Sequence, residues 1–145
     1  MIGEMVEMER TLVLLKPDAL RRNLIGTIIA MYEAAGLREV DAVIGTVDEG
    51  FADRHYAEHV GKGWYPRMRA YICGGPLMAL AVEGPDAVAE VRRINGATDP
   101  AAADPGSVRG RFATCVEENL VHGSDSPVSA ARELALWFPR LPAAA

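Results

Sequence analysis

Cysteine is scarce: the 145 residues contain two, Cys73 and Cys115. With no CxxC pair and no metal-ligand spacing, they exclude a disulfide framework and a zinc ribbon, and both read as reduced core thiols. Long hydrophobic runs are absent as well. No stretch reaches the roughly 20 apolar residues of a membrane span, and Met1 to Arg10 is acidic, without the hydrophobic segment of a signal peptide. The expected location is cytoplasmic, with no membrane partner. Positive charge is in deficit: 15 Lys and Arg against 20 Asp and Glu leave a net charge of -5, so nothing draws the whole chain to nucleic acid. Neither the GxxxxGKS/T loop nor a GxGxxG following a strand occurs, which removes both standard phosphate loops. A polyanion would have to be held by side chains. There are no internal repeats and no low-complexity segments.

What is present is a core. Half of the residues are hydrophobic and 24% are charged, the balance of a soluble globular protein, and the length suits one domain spanning 1–145. Within it, 1–8 reads as a flexible N-terminal extension and 140–145 as a short tail.

Thr11 to Leu15 is a continuous apolar run closed by Lys16-Pro17-Asp18, the pattern of a buried central strand whose exit is forced by proline. Leu24, Ile25, Ile28, Ile29 and Tyr32 recur at helical spacing up to a stop at Gly36. Leu37 to Val47, rich in Val and Ile, is a second strand. Asp48 caps a short helix running to about His59, and a turn over 61–66 leads into another helical piece around Met68 and Tyr71. Leu77 to Val82 is a third strand. Pro85 and Asp86 open a helix with Val88, Val91 and Ile94 inward, ended by Gly96. Asn95 to Arg111 is a long structured loop of the kind that often carries function. This alternation argues for helices packed on a sheet.

The chemistry concentrates in Asn119 to Ser126. His122 sits between a short apolar run, a strand, and a helix capped by Ser126 with Pro127 as its first residue and an apolar body through Phe138. Glu133 lies about two turns into that helix, within reach of the loop. A carboxylate or hydroxyl bonded to one ring nitrogen fixes the tautomer and leaves the other nitrogen a lone-pair nucleophile. Taken alone, a histidine before a turn is more commonly satisfied by neighbouring backbone. Arg92, Arg93, Thr98, Arg109 and Arg111 cluster around the long loop, and guanidinium forks suit phosphate oxygens, although scattered arginines are usually solvated surface. His55-Tyr56-Ala57-Glu58-His59 matches the HxxEH zinc pattern, but no specific third ligand accompanies it, so polar exposed helix residues are the expected account.

These residues together resemble a nucleoside diphosphate kinase from Glu9 to Pro139. The resemblance is carried by Glu9-Arg10-Thr11 leading to Lys16-Pro17-Asp18, by His55-Tyr56, by Ser107-Val108-Arg109-Gly110, and by Asn119 with His122-Gly123-Ser124-Asp125-Ser126. It closes on Glu133 and Leu136-Trp137-Phe138. It implies a ferredoxin-like α/β (α+β) sandwich, its mainly antiparallel four-stranded sheet covered by helices. It also implies transfer of the γ-phosphoryl of a nucleoside triphosphate to a diphosphate, by ping-pong kinetics through a phosphohistidine at His122.

In that reading Glu133 and Ser124 orient His122. Lys16, Tyr56 and Asn119 lie near the transferring phosphate and sugar hydroxyls, Arg92, Thr98 and Arg109 bind phosphates, and Trp64 stacks on the base. Mg²⁺ is held mainly by the phosphates and water, with no direct protein ligand, and the chain assembles as a homo-oligomer, a tetramer or hexamer. A rival reading is a family member kept for nucleotide binding or regulation. Four positions depart from the family's usual residues: Trp64 for phenylalanine, Gly63 for proline, Arg111 for aspartate and Ala19 for glycine.

Overall fold

The computed structural model describes residues 8–142. The expectations for the extension and the tail fall largely outside them, since 1–7 and 143–145 lie outside the described residues; Met8 is already the first residue of strand β1.

Strand β1 (Met8–Leu15) is central, and its sequence explains why. Side chains alternate across a strand, so Val13 and Leu15 face one layer while Leu12 and Leu14 face the other, and all four are fully buried. Each such burial stabilises by roughly 1.5–3 kcal/mol relative to exposure. On one face Val13 and Leu15 meet Leu80 and Val82 of β3 (Leu77–Pro85), covered by Ile28 and Tyr32 of α2 (Ile25–Ala34) and by Val91 and Ile94 of α5 (Ala87–Asn95). On the other face Leu12 and Leu14 meet Ala79 and Ala81, covered by Leu134 and Trp137 of α7 (Pro127–Trp137) and by Phe138.

Strand β2 (Arg38–Gly45) pairs with β3, and β4 (Val121–Gly123) pairs with β1. The sheet order is β2-β3-β1-β4 with every pairing antiparallel, the ferredoxin-like sandwich that the resemblance implied. Two short helices, α3 (Glu49–His55) and α4 (Tyr65–Ile72), form a separate lobe whose core is Ala52, Tyr56, Tyr65, Ile72 and Leu77.

Several local expectations need correction. Lys16-Pro17-Asp18 is more than a strand exit: Pro17 starts the five-residue helix α1 (Pro17–Arg21), where proline's fixed φ and missing N–H are harmless. The long loop contains a 3₁₀ turn, Pro100–Ala102, and α6 (Val108–Phe112), capped by the Ser107 hydroxyl on the Gly110 N–H. Pro85 closes β3 instead of opening α5, and Asp86 between them takes the left-handed conformation at φ 55°. The helix expected to reach His59 stops at His55 and resumes as a 3₁₀ turn, Ala57–His59. Cys115 is exposed and Cys73 half-buried, so neither is a core thiol.

Candidate active site

His122 occupies the middle of β4, opposite Leu14 of β1. The backbone leading to it is held under strain. Leu120, fully buried, adopts φ 75°, a conformation L residues avoid. Its N–H is taken by Asp18 Oδ2 at 3.1 Å and its carbonyl by the Lys16 N–H at 2.8 Å. Asp18 also accepts the Tyr71 hydroxyl. The start of α1 therefore clamps the chain two residues before the histidine, a role for Asp18 that its place in Lys16-Pro17-Asp18 could have signalled.

The His122 ring is oriented by a relay. Its Nε2 lies 2.8 Å from Glu133 Oε1, the same oxygen receives the Ser124 hydroxyl at 2.8 Å, and Ser124 Oγ in turn accepts the Leu12 N–H at 3.3 Å. A carboxylate oxygen that already accepts the serine hydroxyl accepts from the ring too. Nε2 therefore carries the proton, and Nδ1 keeps its lone pair.

A second imidazole packs against the first. The His55 ring stands 4.8 Å from that of His122 at 77°, and its Nδ1 accepts the Trp137 indole N–H at 3.0 Å. Burial, reinforced by His122, Arg132, Lys16 and His59, pushes the His55 pKa far below the ordinary histidine value, so the ring is neutral. The expectation of polar exposed residues fails for both histidines: His55 is buried and His59 half-buried. The HxxEH pair does not form a site, because the helix breaks between its two histidines. The one group of three potential metal ligands among the described residues is His55, His122 and Glu133, with ligand atoms within 4.8 Å of one another. One nitrogen of each ring and Oε1 of Glu133 are already engaged in the bonds just described.

These residues line a cavity of about 1160 Å³, and Lys16, Tyr56, Trp64, Arg92, Thr98, Arg109, Asn119, His122 and Glu133 all reach it; Ser124 sits behind Glu133, fully buried. Lys16 is buried and donates to Asn119 Oδ1 at 3.0 Å; burial first, then Arg109, lowers its pKa to about 8, against a smaller opposing effect of Asp18. Asn119 also donates to the Thr98 carbonyl at 3.3 Å. Arg109 is fixed by three backbone carbonyls, those of Gly96 and Val121 at 2.6 Å and Asn119 at 3.3 Å. The Tyr56 hydroxyl is buried without a partner among the described residues, a costly condition unless a ligand satisfies it. Trp64 and Val116, both half exposed, line the same cavity. The arginine cluster divides: Arg93 pairs with Glu90 at 2.8 Å, and Arg111 lies over Phe112 and beside Met31, neither in the cavity wall.

An antiparallel α+β sandwich that presents a carboxylate-oriented imidazole to a cleft walled by buried Lys and Arg defines a phosphotransferase. The family model described as nucleoside diphosphate kinase matches residues 9–142. Curated nucleoside diphosphate kinases are similar over most of both chains. That of Nocardioides sp. is 57% identical, covering 91% of this chain and 98% of its own, and that of Mycolicibacterium smegmatis is 52% identical, covering 90% and 95%. The crystal structure of the Encephalitozoon cuniculi enzyme superposes with a TM-score of 0.89 at 31% identity, covering 94% of each chain. The chain belongs to the nucleoside diphosphate kinase family, whose kinases generally need a divalent metal. It is a phosphotransferase converting ATP and a nucleoside diphosphate to ADP and a nucleoside triphosphate.

Proposed function

We propose that His122 is the phosphoryl carrier of this reaction. The observation that carries the reading is the Glu133 Oε1 to His122 Nε2 contact of 2.8 Å, which leaves the Nδ1 lone pair to a cleft rich in cations. In the first half-reaction Nδ1 forms a bond to the γ-phosphorus. The bond from that phosphorus to the β–γ bridging oxygen breaks, and its electron pair leaves on the diphosphate. In the second half-reaction a β-phosphate oxygen of the acceptor diphosphate attacks the phosphohistidine and returns the lone pair to Nδ1. Glu133, with Ser124 behind it, stabilises the Nε2 proton as the ring gains positive character.

Lys16, Arg92 and Arg109 neutralise phosphate charge, and Arg109 is fixed before substrate arrives, so its alignment needs little reorganisation. Thr98 and Asn119 add polar contacts, and the unpaired Tyr56 hydroxyl suits a phosphate or ribose oxygen. Trp64 offers a π face that reads no base edge, so purine and pyrimidine nucleotides are both accepted.

Mg²⁺ fits this cleft as an ion carried on the phosphates. The nearest clustered donors are imidazole-rich, whereas Mg²⁺ takes oxygens, and Asp125, kept ionised by Ser129 and Ser126, is a lining carboxylate able to hold the ion's water. When bound, the ion would neutralise charge on the transferring group. A homo-oligomer, tetramer or hexamer, belongs to the same reading, supported by the apolar edge of β2, where Val43 and Ile44 are exposed. So does a cytoplasmic location, in keeping with two free cysteines.

Incubation with γ-labelled ATP, followed by peptide mapping, tests the reading. The expected product is an acid-labile, base-stable phosphoenzyme labelled at His122, with GTP synthesis from ATP and GDP lost in His122→Ala. Nucleotide binding without any such label would establish the binding or regulatory rival instead.

A further inference from the structure

The proposed mechanism leaves unused the buried His55, whose ring packs on the nucleophile, and the half-buried Trp137, whose indole N–H bonds to that ring. Trp137 ends α7, the helix that also carries Glu133, and His55 ends α3 in the other lobe. An indole nitrogen can only donate, so the 3.0 Å contact makes His55 Nδ1 an acceptor and confines its proton to Nε2. Neighbouring contacts hold the two partners in place. Trp137 packs edge-on against Phe51 at 4.6 Å, and Arg132 donates to the backbone carbonyls of Arg54 and His55 at 3.1 and 2.9 Å, which anchors the end of α3 to α7.

We propose that Trp137 is a positioning residue for phosphoryl transfer, its indole N–H holding His55 as the neutral Nε2–H tautomer so that the ring packed on His122 offers the cleft a hydrogen-bond donor and no lone pair. The inference rests on His122 as the phosphoryl carrier.

Two consequences follow from elementary chemistry. Phosphoryl oxygens are acceptors, so a fixed donor beside the nucleophile is favourable where an imidazole lone pair would repel them. A free imidazole lone pair there would also complete a soft metal site. The potential ligand atoms of His55, His122 and Glu133 lie within 4.8 Å of one another, and two imidazoles with a carboxylate are a donor set that zinc favours. Zinc bound to His122 would block phosphorylation. By occupying one His55 nitrogen, Trp137 keeps the other protonated and the constellation uncoordinated. Burial first, then His122 from β4, Arg132 from α7, Lys16 ahead of α1 and His59 from the 3₁₀ turn, disfavour a charge on the ring. The anion nearby, Glu133 of α7, opposes them but is bonded to His122 and Ser124.

The test has a spectroscopic and a kinetic arm. In ¹⁵N-labelled wild-type protein at pH 6, long-range proton–nitrogen correlations are expected to show His55 neutral with its proton on Nε2. In Trp137→Phe, which keeps an aromatic ring against Phe51, the Nδ1–H tautomer should appear. The single-turnover rate of His122 phosphorylation should fall on the order of tenfold, with ATP affinity changed less than about twofold. Inhibition by added Zn²⁺ should strengthen by about tenfold, and the added sensitivity should vanish in Trp137→Phe/His55→Phe. His55→Gln, which retains a neutral N–H donor, should keep more of the rate than His55→Phe.

A protonated Nδ1 in wild-type His55 would overturn the proposal without any variant being made. So would unchanged phosphorylation and zinc sensitivity in Trp137→Phe, or equal rates in the two His55 variants. If the wild type takes no label on His122, the carrier reading itself has failed; if it labels normally and Trp137→Phe labels as fast, only this inference has.

Discussion

A buried ammonium is the least comfortable group in the molecule, and Lys16 has few partners to offset its burial. One neutral acceptor, Asn119 Oδ1, faces it, and Arg109 repels it, so the pKa falls from 10.5 to about 8. The sign of the linkage is fixed. Between about 8 and 10.5 the unfolded chain holds a proton that the folded one has released, so stability rises with pH through that window. Below pH 8 both states are protonated and the full penalty, about 3 kcal/mol, is present. Buried ionisable groups with pKa values perturbed in this way cluster at functional sites. In the proposed mechanism a polyphosphate in the cleft restores the missing counter-charge, so the lysine that destabilises the empty protein is the one assigned to bind substrate. The pH profile of kcat/KM, which reports the free enzyme, is therefore expected to fall on an alkaline limb near 8, while the limb of kcat lies at higher pH. In Lys16→Arg the activity is lower but the limb near 8 disappears, because guanidinium does not titrate there. A limb that persisted in that variant would assign it to another group.

At the scale of elements, the site depends on how closely β4 approaches α5. Gly123 makes that approach possible: a Cβ there would stand 2.8 Å from Val91 Cγ1 and 3.1 Å from Asn95 Nδ2. Gly123→Ala must push α5 away, and α5 carries Arg92 into the cleft. The expected result is a loss of about 1–3 kcal/mol in chemical denaturation, typical of overpacking, together with a raised KM for nucleotide. Unchanged stability would mean that α5 yields freely. This contact also marks where sequence reading stops. The central strand, α2, α5 and α7 were legible because apolar periodicity over two or more turns, or an unbroken run such as Leu12 to Leu15, is a local signal. The five-residue helices α1 and α6 span barely more than one turn, too short for a period, and their helicity depends on Pro17 and the Ser107 cap. Lys16, Arg109, Asn119 and His122 could be named because the family motif surrounds them. The place of His55 could not, since its partner Trp137 lies 82 positions away and nothing near Tyr56 encodes that bond.

Taken whole, the molecule divides its chemistry from its free edge. The sheet order β2-β3-β1-β4 puts the histidine strand on one rim and β2 on the other, with β3 and β1 between. The two rims differ in character. The β4 rim is walled by buried cations within a protein of net charge -5, which concentrates attraction for polyphosphate in the cleft. The β2 rim has one strand neighbour, and two of its apolar residues are open to solvent: Val43 is 47% and Ile44 57% exposed. An unpaired strand edge with exposed Val and Ile is a hazard for a monomer unless another surface covers it. A second copy of the chain is the occupant that a homo-oligomer supplies. Ile44→Lys places a charge on that rim, far from the phosphate site in strand order, so assembly and catalysis should separate. In sedimentation velocity the variant is expected to run as a smaller species than the wild type, while His122 still takes label from γ-labelled ATP. An unchanged sedimentation coefficient would show that β2 is not the contact that holds copies together, and assembly would then have to use another face of the sandwich.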